Sequence, residues 1–342
     1  MRVLVAMSGG VDSSVAAALL RDSGHDVVGA TMKLWGGESD SGCCSVADVD
    51  DARRVAQQLG LDHHVFNFTA DFDAHVVDPY VEAHGAGLTP NPCIECNRHL
   101  KFDRFLERAL DLGFDAIATG HHARVARSAD GTWSLRRGAD RAKDQSYVLH
   151  MLGQAALART LLPVGELTKA EVRVRATELG LRTAAKPDSQ DVCFITSTGG
   201  RTAFLADRLS LHAASVVDSS GEVVGSVDAV ELVTVGQRRG MGGGRGERRY
   251  AVAVDVAARQ VTIGGESDLM TDVVEVDGWQ WCGEAPPPSS AVGVQTSAHG
   301  PVPIATLASS SVRLAEPIRR VAPGQSVVLY DGDQVLGGGI AT

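Results

Sequence analysis

Apolar and polar positions alternate with two different periods along the first 195 residues. Residues 2–7 are a short apolar run suited to a buried strand, and residues 12–21 follow as an apolar, Ala-rich helix. Residues 26–34 read as a second strand. Residues 46–59 read as a helix, with Ser45 as its N-cap and Gly60 after its end. Residues 65–68 form a third strand, 72–83 and 98–110 look helical, and 115–119 is a further strand. Thr168-Lys169-Ala170-Glu171 is a capping box that opens a helix running to Leu179, before Gly180. Strands and helices in alternation predict an α/β unit: a doubly wound, mostly parallel sheet with helices on both faces.

The period changes after about residue 200. Residues 201–209 read as one more short helix. Beyond it the chain is rich in Val and Gly, with short alternating runs at 215–218, 231–235, 250–256 and 261–263. Turns such as Ser220-Gly221 and Gly264-Gly265 separate them. The pattern predicts two small β-rich pieces, residues 199–266 and 267–342, behind an α/β unit of residues 1–198.

The length of 342 residues agrees with two or three domains at roughly 150 residues each. Hydrophobic content of 44% and charged content of 22% are ordinary for a folded globular chain. No apolar run approaches the roughly 18 residues of a membrane helix. The start Met1-Arg2-Val3-Leu4-Val5-Ala6-Met7 gives way too soon to Ser8-Gly9-Gly10 for a signal peptide, so a cytoplasmic protein with no membrane partner is expected. The net charge of −10 disfavours an indiscriminate nucleic-acid binder. Charge is unevenly spread, however. Residues 236–249 hold Arg238, Arg239, Arg245, Arg248 and Arg249 against Glu247 alone. Residues 121–143 hold Arg124, Arg127, Arg136, Arg137, Arg141 and Lys143 against Asp130 and Asp140. Such patches are compatible with one folded RNA substrate.

The string Ser8-Gly9-Gly10-Val11-Asp12-Ser13-Ser14 lies between the first strand and the first helix. Its glycines allow a sharp turn whose N–H groups, with the helix N-terminus, form an anion site. Asp12 would repel phosphate, which points to Mg²⁺ between them. No Gly-Lys-Ser/Thr follows, so this is not the loop of γ-phosphoryl transfer.

Six cysteines are present: Cys43, Cys44, Cys93, Cys96, Cys193 and Cys282. Asn91-Pro92-Cys93-Ile94-Glu95-Cys96-Asn97 precedes the helix expected from Arg98, which places Cys96 near a helix N-terminus, where a thiolate is favoured. Cys193 lies 97 residues further on, in Lys186-Pro187-Asp188-Ser189-Gln190-Asp191-Val192-Cys193-Phe194. Three chemistries fit: a metal or iron–sulfur site on Cys93, Cys96 and Cys193; a Cys93–Cys96 redox pair; or sulfur transfer through a persulfide. Buried, inert thiols are the plain alternative, and spacing alone does not choose between them. Cys43 and Cys44 lie in a Gly-Ser loop and read as solvated thiols; Cys282, beside Trp281, reads as packing.

The phosphate loop resembles that of the ATP-pyrophosphatase superfamily. It is followed in order by Asn91 to Asn97, Gly120-His121-His122-Ala123-Arg124, Lys143-Asp144-Gln145-Ser146-Tyr147, Lys186 to Phe194 and Val235-Gly236-Gln237-Arg238-Arg239-Gly240. Pro323-Gly324-Gln325 and Leu336-Gly337-Gly338-Gly339 complete the series. Together these strings resemble the tRNA-specific 2-thiouridylase (tRNA-uridine 2-sulfurtransferase) family over essentially the whole chain. The resemblance implies an adenine nucleotide alpha-hydrolase-like catalytic domain, a central β-rich domain and a C-terminal β-barrel. It implies ATP, with Mg²⁺, as cofactor, and the anticodon region of tRNA as substrate. The sulfur donor would be a cysteine desulfurase or a relay protein.

By the same resemblance Ala6, Met7, Ser8, Gly9, Gly10, Val11, Asp12, Ser13, Met32 and Gly120 bind ATP. Asn91, Pro92 and Cys93 lie at the target base, and Lys143, Asp144 and Gln145 touch the tRNA. Cys96 is the nucleophile and Cys193 carries the persulfide. Oxygen 2 of the wobble uridine, position 34, is adenylated; the persulfide sulfur attacks carbon 2, and AMP leaves. Cys96 and Cys193 finish as a transient disulfide, or hydrogen sulfide is released first. No permanently bound metal is expected, the iron–sulfur alternative standing on the Cys93-x-x-Cys96 pair. Two departures stand out. Many members of the family carry Asp where this chain has Cys93, and an Arg-Tyr pair of the family's barrel is missing from Val294-Gln295-Thr296-Ser297-Ala298-His299.

Overall fold

In the computed structural model, described for residues 1–35, 45–188, 192–195, 199–241 and 248–342, the first apolar run is strand β1 (Arg2–Ala6). Its side chains divide by the two-residue period of a strand: Val3 and Val5 enter one apolar cluster, Leu4 and Ala6 another on the opposite face. Helix α1 (Val11–Asp22) follows, then β2 (Asp26–Lys33), α2 (Val46–Leu59) and β3 (His63–Asn67). Ser45 caps α2 by accepting the Asp48 N–H, and Gly60, left-handed at φ 71°, ends it, as the sequence predicted.

Two long helical stretches come next. Helices α3 (Thr69–Phe72) and α4 (Asp78–Gly85) are joined by a π-helical segment, Asp73–Val77. Helices α5 (Pro92–Glu95) and α6 (Phe105–Asp111) are joined by another, Cys96–Arg104. The second stretch thus begins at Pro92, six residues earlier than the expected start at Arg98. Pro92 occupies the first helical position, where its missing N–H costs nothing, and the Asn91 side chain caps the turn. Such π-helical insertions occur often at functional sites.

Strands β4 (Ala116–Ala118), β5 (Ala123–Arg127) and β6 (Trp133–Arg137) are followed by α7 (Gln154–Leu157), β7 (Thr160–Leu161) and α8 (Lys169–Glu178). The first sheet is wholly parallel, in the order β3-β2-β1-β4-β7. Helices α1, α2 and α8 cover one face, and α8 opens with the expected capping box. The other face packs on α4, the π-helical stretches and α6.

After α9 (Gly200–Ala206) the chain becomes β-rich, as predicted. Strands β8 (Ala214–Val217), β9 (Val223–Val227), β10 (Tyr250–Asp255) and β11 (Gln260–Gly264) form a mixed sheet in the order β10-β11-β8-β9. The run expected as a strand at 231–235 is instead a single 3-10 turn, Val230–Leu232. The turn buries the Glu231 carboxylate so that it accepts both the backbone N–H and the ring of His212, a pairing no strand pattern reveals.

Strands β12 (Met270–Trp281), β13 (Ala291–Gln295), β14 (Ile304–Leu307), β15 (Ser311–Arg319), β16 (Ser326–Asp331) and β17 (Gln334–Ala341) form an antiparallel barrel. Pairing of β12 with β17 closes it, which removes the open sheet edges. The hairpin β5–β6 leaves the α/β unit and pairs with β17, Arg136 opposite Gln334 and Leu135 opposite Val335. Leu135, Tyr330 and Val335 then share one buried cluster with Phe72, Phe105 and Tyr147. The barrel and the nucleotide-loop unit are therefore joined by a continuous core. No helix among the described residues is long and apolar enough to cross a membrane.

Candidate functional site

The carboxyl edge of the parallel sheet builds the site. Ala6 and Met7 end β1, Met32 lies near the end of β2, and Gly120 follows β4, all buried or half-buried. Ligands of open α/β sheets bind at this edge. The loop after β1 is held from within. The Ser8 N–H donates to the Ser13 hydroxyl at 3.2 Å, and the Ser14 hydroxyl donates back to the Gly10 carbonyl at 2.7 Å. Ser14 is wholly buried, so its hydroxyl shapes the loop. Gly10 caps α1 and has no side chain with which to close the helix end. Two glycines are sterically required. Gly9 sits at φ 71°, and a Cβ there would lie 2.2 Å from the Asp48 carbonyl oxygen. A Cβ on Gly120 would lie 2.6 Å from the Ser13 nitrogen, so the backbone after β4 presses against the first turn of α1.

Asp12 is the loop's one carboxylate. Its oxygens accept from Lys169 Nζ at 2.8 and 2.7 Å, and Oδ1 lies 3.1 Å from His122 Nε2. Burial pushes the Asp12 pKa up, but the hydrogen bonds from His122 and Lys169 outweigh it, leaving the carboxyl below its ordinary range. Lys169 also reaches Asp188 at 2.9 Å, and Asp188 binds Lys143 at 2.9 Å and Arg173 at 2.9 Å. Burial opposes ionisation of Asp188, yet Lys143 and Lys169 win and hold its pKa down at about 2. Lys186 completes the cluster, with its ammonium on the Gly9 carbonyl at 2.9 Å and on Asp48 and Asp51. Three of the chain's five lysines, Lys143, Lys169 and Lys186, converge here. Lys169, Asp188, Lys186 and His122 were not among the residues expected to act. Retention of lysine in a chain with 27 arginines was the available signal.

The thiols lie on two segments that meet in one core. Cys93 is in the first turn after the cap, with its N–H on Asn91 Oδ1 at 3.1 Å, and Cys96 is one turn further on. It is thus Cys93, rather than Cys96, that holds the helix N-terminal place. Cys96 is buried, and Cys193 packs half-buried against the same apolar cluster. Phe194 anchors the Cys193 segment among aromatic rings: Phe204 at 5.1 Å, Tyr80 at 5.5 Å, Phe72 at 5.6 Å and Trp35 at 6.1 Å. Burial, opposed by Arg201 and reinforced by Cys93, raises the Tyr80 hydroxyl pKa. Val192, just before Cys193, is left-handed at φ 57°, a strained state for a β-branched residue. Cys282, just after β12, is packed into the same apolar cluster. Burial pushes its thiol up to about 12, and it donates to the His150 carbonyl. Cys43, Cys44, Ser189, Gln190, Asp191, Arg245 and Glu247 lie outside the described residues.

The expected tRNA-contact stretch divides. Lys143 is exposed at the site's mouth. Gln145 exchanges hydrogen bonds with the His122 backbone, its Oε1 accepting the N–H at 2.9 Å. Asp144 is buried and turned inward, accepting from Arg137, from the Gly138 and Ser146 N–H groups and from the Ser146 hydroxyl. Asn91 spends its side-chain oxygen on the helix cap, and Pro92 is buried. Among the described residues no three His, Cys, Asp or Glu side chains are placed to hold a metal ion.

A glycine-serine loop on a parallel sheet, an ionic cluster at its carboxyl edge and a barrel fused to it define a nucleotide-loop enzyme of the HUP class. Residues 1–197 match the family described as tRNA methyl transferase HUP domain, and residues 271–341 that described as aminomethyltransferase beta-barrel domain. A tRNA-specific 2-thiouridylase from Chloroflexus aggregans is 46% identical over 98% of this chain and 97% of its own. Those from Geotalea uraniireducens and Sorangium cellulosum are 44% and 47% identical, each over 99% of this chain and over 94% and 91% of their own. The chain belongs to the tRNA-specific 2-thiouridylase family.

Proposed function

We propose that the protein uses ATP to convert the wobble uridine of tRNA, position 34, to 2-thiouridine. The observation that carries this reading is the ionic cluster Asp12–Lys169–Asp188–Lys143. It ties the nucleotide loop to the segment bearing Cys193, whose neighbour Phe194 shares a core with Cys96. In this reading activation and sulfur delivery share one edge of one sheet.

The first step is attack of uridine oxygen 2 on the α-phosphorus of ATP, which releases pyrophosphate and leaves an adenylate. Loop amides and the end of α1 receive the phosphates. Lys169 and Lys186 supply positive charge where pyrophosphate departs, the service a loop without its own lysine needs. Asp12 fits Mg²⁺, which binds through one or two carboxylates together with substrate phosphates. When bound, the ion would neutralise phosphate charge.

Carbon 2 is then electrophilic, with AMP as a good leaving group. The terminal sulfur of a Cys193 persulfide bonds to carbon 2 and AMP leaves. The Cys96 thiolate attacks Cys193 Sγ, releasing the sulfur to the base and forming the Cys96–Cys193 disulfide. A thiol reductant and a sulfur donor, such as a cysteine desulfurase or relay protein, complete the turnover. Asp12→Ala tests the first half. It is expected to abolish tRNA-dependent AMP release, measured by thin-layer chromatography of labelled ATP, and unchanged AMP release would overturn the loop assignment.

A further inference from the structure

One thiol of the site has no task in the sulfur-transfer steps above. Cys93 stands three residues before Cys96 on the same helical stretch, which opens with the Asn91 cap and buried Pro92. Glu95 and Cys96 have α-helical backbones, at φ −66° and ψ −37° and at φ −60° and ψ −44°. Helical rise and radius then set the two cysteine Cα atoms about 5 Å apart. That lies inside the window of roughly 4.4–6.8 Å within which a disulfide closes. The loop so closed is short, and little chain entropy opposes the bond.

The two thiols differ in access. Cys96 is 8% exposed within the apolar cluster, and Asn97 beside it is pinned by its Nδ2 donating to the Val148 carbonyl at 3.0 Å. Cys93 is only half-buried and keeps part of its surface in solvent. The carboxylate between them is already engaged. Glu95 Oε2 accepts from Arg98 Nε at 3.1 Å and lies 3.4 Å from His99 Nε2. It does not stand as a bare negative charge against a neighbouring thiolate. One helical turn thus offers a sulfur that solvent reaches ahead of a sulfur that the core shields.

We propose that Cys93 is the resolving thiol of the catalytic cycle, a role that rests on the sulfur-transfer reading above and begins where it ends, at the Cys96–Cys193 disulfide. The Cys93 thiolate attacks Cys96 Sγ. A Cys93–Cys96 bond forms and the Cys96–Cys193 bond breaks. Cys193 leaves as a thiolate and takes up a proton in place of the one Cys93 lost, so the exchange consumes neither oxidant nor reductant. An external thiol reductant then returns the Cys93–Cys96 pair to two thiols, supplying two electrons and two protons. Oxidation is thereby moved onto the rigid helix, and Cys193 becomes available for its next sulfur. Sulfur donor and reductant act on different sulfur atoms and do not compete for one.

The test follows the persulfide-loaded full chain through one turnover with tRNA and ATP and no added reductant. Acid quenching, alkylation of the remaining thiols and peptide mass spectrometry then locate the disulfide. Wild type is expected to end with Cys93 joined to Cys96 and with Cys193 alkylated, and Cys93→Ser to stop at the Cys96–Cys193 disulfide. With a monothiol reductant and a cysteine desulfurase present, later turnovers of Cys93→Ser should fall about tenfold relative to its own first turnover, with no such fall in wild type. Persistence of the Cys96–Cys193 disulfide in wild type, or equal turnover ratios in the two proteins, would overturn the role. The mapping reads wild type directly, so a Cys93→Ser chain that fails to fold does not remove the test. Stoichiometric iron in anaerobically purified wild type that is lost in Cys93→Ser would also overturn it. Formation of 2-thiouridine with neither disulfide would overturn the exchange and the Cys96–Cys193 step together. Absence of 2-thiouridine from wild type would overturn the function on which the proposal stands.

Discussion

The two cysteine-bearing segments are built on opposite principles. Cys96 rides on a continuous helical stretch from residue 92 to residue 111, capped by Asn91 and buried along its length at Ile94, Leu100 and Phe105. Its position is fixed by the same packing that makes the core. The Cys193 segment has no helix or strand among its described residues. It is held by ammonium–carboxylate contacts on one side, at Lys186 and Asp188, and by one aromatic plug on the other, Phe194. A thiol that must be loaded by a donor and then reach a base needs freedom between two anchors. A thiol that only receives the resulting disulfide bond needs a fixed place. The strained backbone at Val192 lies between those anchors, directly before Cys193.

The contrast can be broken from the aromatic side first. Phe194→Ala removes a buried ring from the cluster of Trp35, Phe72, Tyr80 and Phe204, a change that typically costs about 3–5 kcal/mol. If the plug holds Cys193 in place, thiolation by the folded variant falls far more than tRNA-dependent pyrophosphate release. Equal losses of both would show that Phe194 is ordinary core.

The ionic side gives a smaller, pH-dependent effect. The Asp188 pKa is depressed from an ordinary 3.8 to about 2, so its contribution is present above about pH 4 and is lost as pH falls through about 2. Asp188→Asn is therefore expected to lower the urea midpoint at pH 7, with the difference from wild type closing between pH 4 and 2. A constant difference across that window would contradict the assignment. The smallest effect belongs to the rigid segment. Asn91→Ala deletes one helix cap and should cost about 1 kcal/mol of stability, with the pyrophosphate-to-thiouridine ratio unchanged. A shifted ratio would mean that the Cys96 helix is less fixed than its packing indicates.

Much of the α/β half was legible, because strands of one period and helices of another are separated by Gly and Ser at predictable places. The start of the Cys96 helix was legible in Asn91-Pro92, a cap followed by proline at the first helical position, although the helix was expected only from Arg98. The β5–β6 hairpin was hidden because Arg124, Arg136 and Arg137 interrupt its apolar alternation; Arg124 finds a partner in Asp333 and Arg137 one in Gln295, both far away in sequence, while Arg137 also holds nearby Asp144 and Arg136 donates to Ser134. The phosphate loop could be read as a string. The cluster around it could not, since Asp12 and Lys169 are 157 positions apart and only the fold brings them together. Asp144 shows the limit of matching motifs. It lies within the expected tRNA-contact string, yet its charge is spent inside the hairpin–barrel joint.

The central claim is that ATP activation and sulfur delivery are separate tasks of two joined segments, with Cys193 carrying the sulfur. A single-turnover reaction of persulfide-loaded protein with tRNA and ATP, read by mass spectrometry of the digested tRNA and by pyrophosphate release, tests it most directly. Wild type should give 2-thiouridine, AMP and pyrophosphate, and Cys193→Ala should still bind tRNA within a few-fold and release pyrophosphate but give no 2-thiouridine. Formation of 2-thiouridine by Cys193→Ala would contradict the account.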